Sequence, residues 1–359
     1  MGAIYKRNCR MRLIFVTDTL SSGGSERVIS ILANHFVNKY ETIIVCLRKQ
    51  EVFYSIAPSV RILFADNENS NWLKKIVWLR RLVKRDDVVV PFMVKVYCVV
   101  LLALLGRKVN VIASERNDPK TTGKQWKFLR SLLIRNVSKI VVQTEDIKRY
   151  FSQAIQKRIH IIYNPLELGQ CSTTPWDKES KTVLAIGRTD QQKNYPMMIR
   201  AFQRFHCKHQ DFKLDIWGSR YPQKDINLHA IIKELNAEDY ITIHGRADCV
   251  SQLYAQAYMF AMSSDYEGMS NSLIEALCSG LPVISTRVSG AVDLIEDGKN
   301  GVLIDVGDED ALVNAFTTLV ENPEKARMMA YNARKLHSLF NVDKICQQWD
   351  GVILQTMSI

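Results

Sequence analysis

Glu267 and Glu275 bracket the stretch of this chain whose residue types could do chemistry, Ser-Ser-Asp-Tyr-Glu-Gly-Met-Ser-Asn-Ser-Leu-Ile-Glu-Ala-Leu over 263–277. The apolar run 258–262 before it reads as a buried strand. Ser270 or Asn271 then stands as the N-cap of a helix with Leu273, Ile274 and Leu277 on its apolar face. A strand, a glycine-containing turn and a capped helix form an anion site, because free N–H groups and the positive helix end converge there. Gly268 lets a phosphate come close. Glu267 in the turn and Glu275 in the helix can hold hydroxyls at different ends of one ligand, and a phosphate flanked by hydroxyls describes a nucleotide sugar.

Arg188 and Lys193 supply the second part. Residues 182–187 read as a strand ending in Gly187, followed by a loop and a helix whose first turn holds Pro196. Two cations beyond a strand's carboxyl end can neutralise a diphosphate, Arg as a rigid fork and Lys as a mobile point charge. Ser22-Gly23-Gly24-Ser25 lies between the first strand and first helix, where small residues again let N–H groups face a ligand. It is not a Gly-x-Gly-x-x-Gly fingerprint, which speaks against a dinucleotide cofactor.

These residues must be held by alternating elements. Strands are expected at 13–16, 42–47, 88–90, 109–113, 139–143 and 159–162, then at 182–186, 213–217, 241–244, 258–262, 283–285 and 301–304. That alternation predicts an α/β protein of two doubly wound, Rossmann-like domains facing a cleft. The expected domains are 11–165 and 181–340, joined by a polar linker at 166–180, with a final segment at 341–359. A length of 359 residues and a 47% hydrophobic content suit two sizeable cores.

Gly187-Arg188 with Lys193, and Glu267 and Glu275 eight positions apart, resemble the retaining glycosyltransferases of family 4, of the GT-B fold and the bacterial capsule and O-antigen type. Ser22-Gly23-Gly24-Ser25-Glu26-Arg27-Val28, Gly280-Leu281-Pro282-Val283 and Asp297-Gly298-Lys299-Asn300-Gly301 fit the same pattern. The resemblance implies that the second domain binds the nucleotide sugar and that the first binds the acceptor. Glu267, Arg188 and Lys193 are then catalytic. Gly24, Gly187, Arg246, Gly268, Met269, Ser270, Asn271, Ser272, Leu273 and Glu275 bind the donor, expected to be a UDP-sugar. Gly23, Ser114, Glu115 and Arg116 lie on the acceptor side, where many relatives carry a His that this chain lacks. The final helix is implied to cross back onto the first domain. The implied chemistry retains anomeric configuration and needs no cofactor. Absence of an Asp-x-Asp after a cleft strand implies no metal, with Arg188, Lys193 and helix amides steadying the diphosphate.

Charge divides the chain. Residues 1–170 carry 29 Lys+Arg and 13 Asp+Glu, net +16, and residues 171–359 carry 19 and 24, net −5, which gives the overall +11. A basic half attracts nucleic acid, anionic lipid or a phosphorylated acceptor. No recognition helix or basic–aromatic strand motif accompanies it, so nucleic acid is not an expected partner. The segment 72–85 reads as an amphipathic helix, with Trp72, Ile76, Leu79 and Val83 turned inward and its basic face toward an anionic membrane. Residues 88–105 are apolar and near membrane-spanning length, but Pro91 and Lys95 interrupt them. They read as a strand and a buried helix ended by Gly106. Eight scattered Cys read as buried reduced thiols, His244 as structural, and 1–10 as a polar tail with Met11 a possible start. The expected protein is cytoplasmic and peripheral to the membrane, with a lipid-linked saccharide acceptor. A non-catalytic nucleotide-sugar-binding subunit and a sugar-nucleotide epimerase of the same fold stand as alternatives.

Overall fold

The computed structural model describes residues 11–65, 71–177, 179–219 and 226–357. The expected tail 1–10, with Cys9, lies outside them. The chain divides into two units, residues 1–165 with 342–359, and residues 166–341.

In the first unit the order is β1 Arg12–Thr17, α1 Gly24–Phe36, β2 Glu41–Cys46, β3 Arg61–Phe64, α2 Trp72–Leu82, β4 Val88–Pro91, α3 Val94–Ala103, β5 Asn110–Ser114, α4 Lys124–Leu133, β6 Lys139–Val142, α5 Glu145–Tyr150, α6 Gln153–Gln156 and β7 Ile159–Ile161. The strands form one parallel sheet in the order β3-β2-β1-β4-β5-β6-β7. Central strands such as Val88-Val89-Val90 are buried on both faces, as a parallel sheet covered by helices requires. One face carries Leu79 of α2, the apolar body of α3 and Leu133 of α4. The other carries α1 and α14, Val342–Met357.

Trp349 anchors α14. It is fully buried and stacks on Phe92 with ring centroids 6.0 Å apart, while Asp350 accepts hydrogen bonds from Tyr40 and Lys39. Trp349→Ala is expected to cost about 3–5 kcal/mol, because a large cavity opens against Phe92. Denaturant unfolding of the intact protein measures it.

The second unit contains β8 Thr182–Ile186, α7 Tyr195–His206, β9 Lys213–Trp217, α8 Leu228–Glu234, β10 Ile241–His244, α9 Val250–Gln256, β11 Met259–Met262, α10 Asn271–Ser279, β12 Val283–Thr286, α11 Ser289–Leu294, β13 Val302–Ile304, α12 Glu309–Glu321 and α13 Pro323–Arg334. Its parallel sheet runs β10-β9-β8-β11-β12-β13. Strand order reverses between β8 and β11, so the loops leaving those two strands flank the crevice where doubly wound sheets take ligands.

Both units are doubly wound and Rossmann-like, the fold class expected. The structure corrects several details. The short edge strand β3 was missed; four residues on an exposed margin leave little alternation to read. The segment 166–180 is not a free linker. Leu166 bonds to Phe340, Cys171 is buried, Ser172 accompanies Ser279, and the Trp176 indole donates to the Tyr258 carbonyl, so its described residues belong to the second unit. Cys207 and Cys249 are exposed rather than buried. In α2, Leu79 and Val83 point inward as expected, but Trp72 is exposed together with Leu73 and Val77. Among the described residues, no helix is long and apolar enough to cross a membrane.

Candidate active site

The loop after β8 carries Gly187, Arg188 and Lys193; the loop after β11 carries Glu267 and Gly268. Lys193 Nζ donates to Glu267 Oε1 at 2.7 Å, and Ser264 Oγ donates to the same oxygen at 3.1 Å. Both partners of the ion pair are largely buried, with 12% and 10% of their side chains exposed, so the pair is not a loose surface contact. Gly187 leaves room for the Lys193 side chain: a Cβ there would lie 2.5 Å from Lys193 Cε and 2.9 Å from the Tyr195 hydroxyl.

Side chains and backbone staple the two loops together. Ser263 Oγ donates to the Lys193 carbonyl at 2.8 Å, Gln192 Nε2 to the Tyr266 carbonyl at 3.0 Å, and Asn194 Nδ2 to Asp265 at 2.7 Å. The Asp265 N–H donates to the Gln192 carbonyl. Asn194 takes the left-handed conformation, φ 46°, which its short polar side chain tolerates at the entry to α7. Gly218, at the end of β9, closes the floor, where a Cβ would meet the Gly187 carbonyl oxygen at 1.8 Å.

The turn after Glu267 leads into α10. Met269 and Ser270 are buried, and Asn271 and Ser272 half-buried at its first turn. Ser270 is the N-cap by position, but its side chain makes no capping bond; it pairs with the Ser272 hydroxyl at 3.0 Å. The helix cannot itself satisfy its first-turn N–H groups, and Leu273 completes that turn on the core side. Glu275 lies on the buried face of α10, and its Oε2 accepts from the Tyr254 hydroxyl of α9 at 2.8 Å. Gly290 of α11 backs the turn: a Cβ there would sit 2.5 Å from the Gly268 carbonyl oxygen. Sequence reasoning missed Ser264, and also Tyr254, Gly218 and Gly290, whose roles depend on residues farther along the chain.

Arg188 is half exposed and meets Asp190 at 3.3 Å. Arg246 is exposed, in the loop after β10. His244 stacks on Trp217, centroids 4.1 Å apart, and contacts Asp215 at 3.0 Å, consistent with a structural role.

The remaining expected site residues belong to the first unit. Gly23 caps α1 and Gly24 begins it, but the chain's own Glu26 folds over that end: a Cβ on Gly23 would fall 2.1 Å from a Glu26 carboxylate oxygen. A carboxylate three residues into a helix serves its free N–H groups, so the helix end expected to hold a ligand anion already faces an internal one. Ser114, Glu115 and Arg116, expected on the acceptor side, are all buried. Arg116 donates to Ser114 Oγ at 2.7 Å and Asn164 Oδ1 at 2.9 Å, and its guanidinium lies 4.8 Å from the Phe92 ring and 5.5 Å from that of Trp349. Burial lowers its pKa to about 9. Its observed contacts tie α14 to the sheet.

Glu115 accepts from Tyr97 at 2.9 Å and from Arg130 at 3.3 Å, all three side chains being buried. Burial lifts the Glu115 carboxyl above its ordinary range, against the opposing pull of Arg130. A carboxyl with a raised folded-state pKa binds protons more readily folded than unfolded. Its contribution therefore favours folding at low pH and falls as pH rises from the unfolded value toward the folded one. Arg130→Met removes the compensating cation and is expected to cost about 3–5 kcal/mol at neutral pH. The loss should shrink below about pH 4, where the carboxyl is protonated in both states. Urea unfolding at the two pH values checks the sign.

A paired Lys and Glu beside a helix N-terminus, at the strand-order reversal of a doubly wound sheet, can hold a phosphorylated, hydroxyl-bearing ligand. The chain is 27% identical over 360 residues to a Campylobacter jejuni GalNAc-alpha-(1->4)-GalNAc-alpha-(1->3)-diNAcBac-PP-undecaprenol alpha-1,4-N-acetyl-D-galactosaminyltransferase, covering 96% of this chain and 99% of that protein. It is 28% identical to the same organism's N-acetylgalactosamine-N,N'-diacetylbacillosaminyl-diphospho-undecaprenol 4-alpha-N-acetylgalactosaminyltransferase, covering 92% and 95%. Among solved structures, Anabaena Alr3699/HepE in complex with UDP-glucose superposes with a TM-score of 0.81 at 19% identity, covering 97% of this chain and all of that one, a likeness of fold. Residues 172–336, which hold the Lys193–Glu267 pair, match the family model of glycosyl transferases group 1.

Proposed function

We propose that the protein is a retaining glycosyltransferase of family 4 that moves a hexose or N-acetylhexosamine from a UDP-sugar to a polyprenyl-diphosphate-linked saccharide. The observation that carries the reading is the Lys193–Glu267 pair, held by the stapled loops at the N-terminus of α10. The acceptor class follows the two Campylobacter jejuni relatives, whose names specify undecaprenol-diphosphate-linked sugars.

Arg188, Lys193 and the first-turn amides of α10 neutralise the leaving diphosphate, and no metal is needed for that charge. Glu267 holds sugar hydroxyls and Glu275 the ribose, with Tyr254 fixing the Glu275 carboxylate. The acceptor hydroxyl attacks the anomeric carbon from the leaving-group face. The new C–O bond forms as the bond to the diphosphate breaks, and the acceptor proton passes to the departing phosphate oxygen. Configuration is retained. The protein works from the cytoplasm at an anionic membrane surface, where such an acceptor resides.

The test is a donor panel of UDP-, GDP- and ADP-sugars with membrane lipid extract as acceptor, beginning with UDP-N-acetylhexosamines. Nucleotide diphosphate release that depends on one UDP-sugar and on lipid, with an α-linked product, is the expected result. An inverted product removes the retaining mechanism. Calorimetric binding of a UDP-sugar without turnover favours a non-catalytic binding subunit.

A further inference from the structure

Three neighbouring helices on one face of the first unit carry no carboxylate. The segments 71–85, 88–114 and 119–144, which contain α2, α3 and α4, include no Asp or Glu. The helices are joined side by side, and Arg80 of α2 donates to the carbonyls of Ala103 and Leu105 at the end of α3. Each turns its apolar inner side to the sheet.

Their outer sides are not purely basic. On α4, Lys124, Phe128, Leu132 and the following Arg135 fall at i, i+4, i+8 and i+11, one outward row, with Phe128 66% and Leu132 57% exposed. On α2, Leu73 and Val77 share the outward side, 52% and 49% exposed, beside Trp72 at 56%. Between them α3 offers Lys95 and the half-buried Val99 and Leu102. Large apolar side chains normally sit inside. Here they lie on a face with Lys74, Arg81 and Lys127 among them and no negative charge in the helices.

We propose that this three-helix face docks onto an anionic lipid bilayer, with Phe128, Leu132, Leu73 and Val77 entering the headgroup boundary and the flanking Lys and Arg meeting lipid phosphates. An outward apolar row bordered by cations is the pattern of an interfacial surface, whereas nucleic-acid affinity comes chiefly from cations on phosphates. Exposure of Trp72, against the inward position its spacing suggested, adds an aromatic side chain suited to the membrane interface. The proposal deepens the membrane-acceptor reading and rests on it for its purpose, while its physical content rests on this face alone.

The experiment is co-sedimentation of the full chain with vesicles of phosphatidylcholine, with and without about 30% phosphatidylglycerol. Phe128→Ser/Leu132→Ser and Leu73→Ser/Val77→Ser are tested beside the unaltered protein. All four side chains are about half exposed or more, so folding should survive, and circular dichroism and thermal unfolding verify it. A third variant, Lys124→Glu/Lys127→Glu, tests charge without altering the apolar residues. The unaltered protein should prefer anionic vesicles by at least about tenfold. Each apolar variant should lose about tenfold or more. Part of the binding should persist at about 0.5 M salt, where charge alone is screened. No preference for anionic vesicles overturns the proposal. So does apolar-variant binding equal to that of the unaltered protein with complete release by salt and equal competition by RNA, which would mark a polyanion surface. UDP binding by calorimetry, read in the same samples, reports the second unit, so failure of the nucleotide-sugar reading is seen separately.

Discussion

Glu267→Gln should lower the turnover number for sugar transfer by about 10²–10³-fold, with little change in the KM for the donor. The carboxylate accepts from Lys193 and Ser264 through one oxygen, so it is fixed by two donors from different loop positions. Gln keeps the volume and one oxygen but removes the charge, leaving the largely buried Lys193 ammonium without its counter-charge. The ammonium then shifts within the site, and the leaving diphosphate loses a cation placed for it. Lys193→Ala should give a loss of similar order. The double variant should be much less than additive, because the two residues act as one unit. Steady-state rates with the donor identified by the panel, together with thermal unfolding of each variant, separate a chemical defect from a folding one. A Glu267→Gln protein retaining half its turnover would remove Glu267 from the mechanism.

Gly290→Ala should strongly damage the second unit's site through a single methyl. Its Cβ would lie 2.5 Å from the Gly268 carbonyl oxygen and 2.7 Å from Met269 Cα, and neither backbone atom can rotate aside. Either α11 moves or the turn between Glu267 and α10 moves, and the turn is what aligns the carboxylate with the helix amides. Overpacking of this kind costs about 1–3 kcal/mol. UDP-sugar affinity should fall by about tenfold or more, since the amides miss the phosphate by a fraction of an ångström. Gly351→Ala is the contrasting control. No atom outside its local helix lies within 4 Å of the added Cβ, and the residue sits inside α14. There the methyl should stabilise by about 0.5–1 kcal/mol, because glycine in a helix interior loses more chain entropy on folding than alanine. Opposite shifts in melting temperature from the same substitution are the expected readout.

Local order was legible where the pattern is local. The apolar run ending at Met262, the turn at Gly268 and the periodic helix starting at Asn271 lie consecutively, so spacing alone identifies strand, turn and helix. The alternation of strands and helices was equally legible and led to two doubly wound sheets. What was not legible lies where neighbours in space are distant in sequence. Ser114, Glu115 and Arg116 follow a strand and carry polar groups, which suggests presentation to a ligand. Tyr97, Arg130, Asn164 and Trp349 enclose them, a packing that no spacing along the chain shows.

By itself, the sequence determined which segments become strands and helices, that the first half is basic and the second acidic, and that Glu267 and Glu275 flank a helix start. Periodicity and composition act within a few residues, and they suffice for these. Only the tertiary structure decided that Lys193 meets Glu267 across 74 positions, that Gly218 and Gly290 must lack side chains, that Glu26 covers the start of α1, and that Trp72 faces outward. Those outcomes depend on strand order and on which helix face the sheet covers. Both are settled by close packing between distant segments, and no spacing along the chain encodes them.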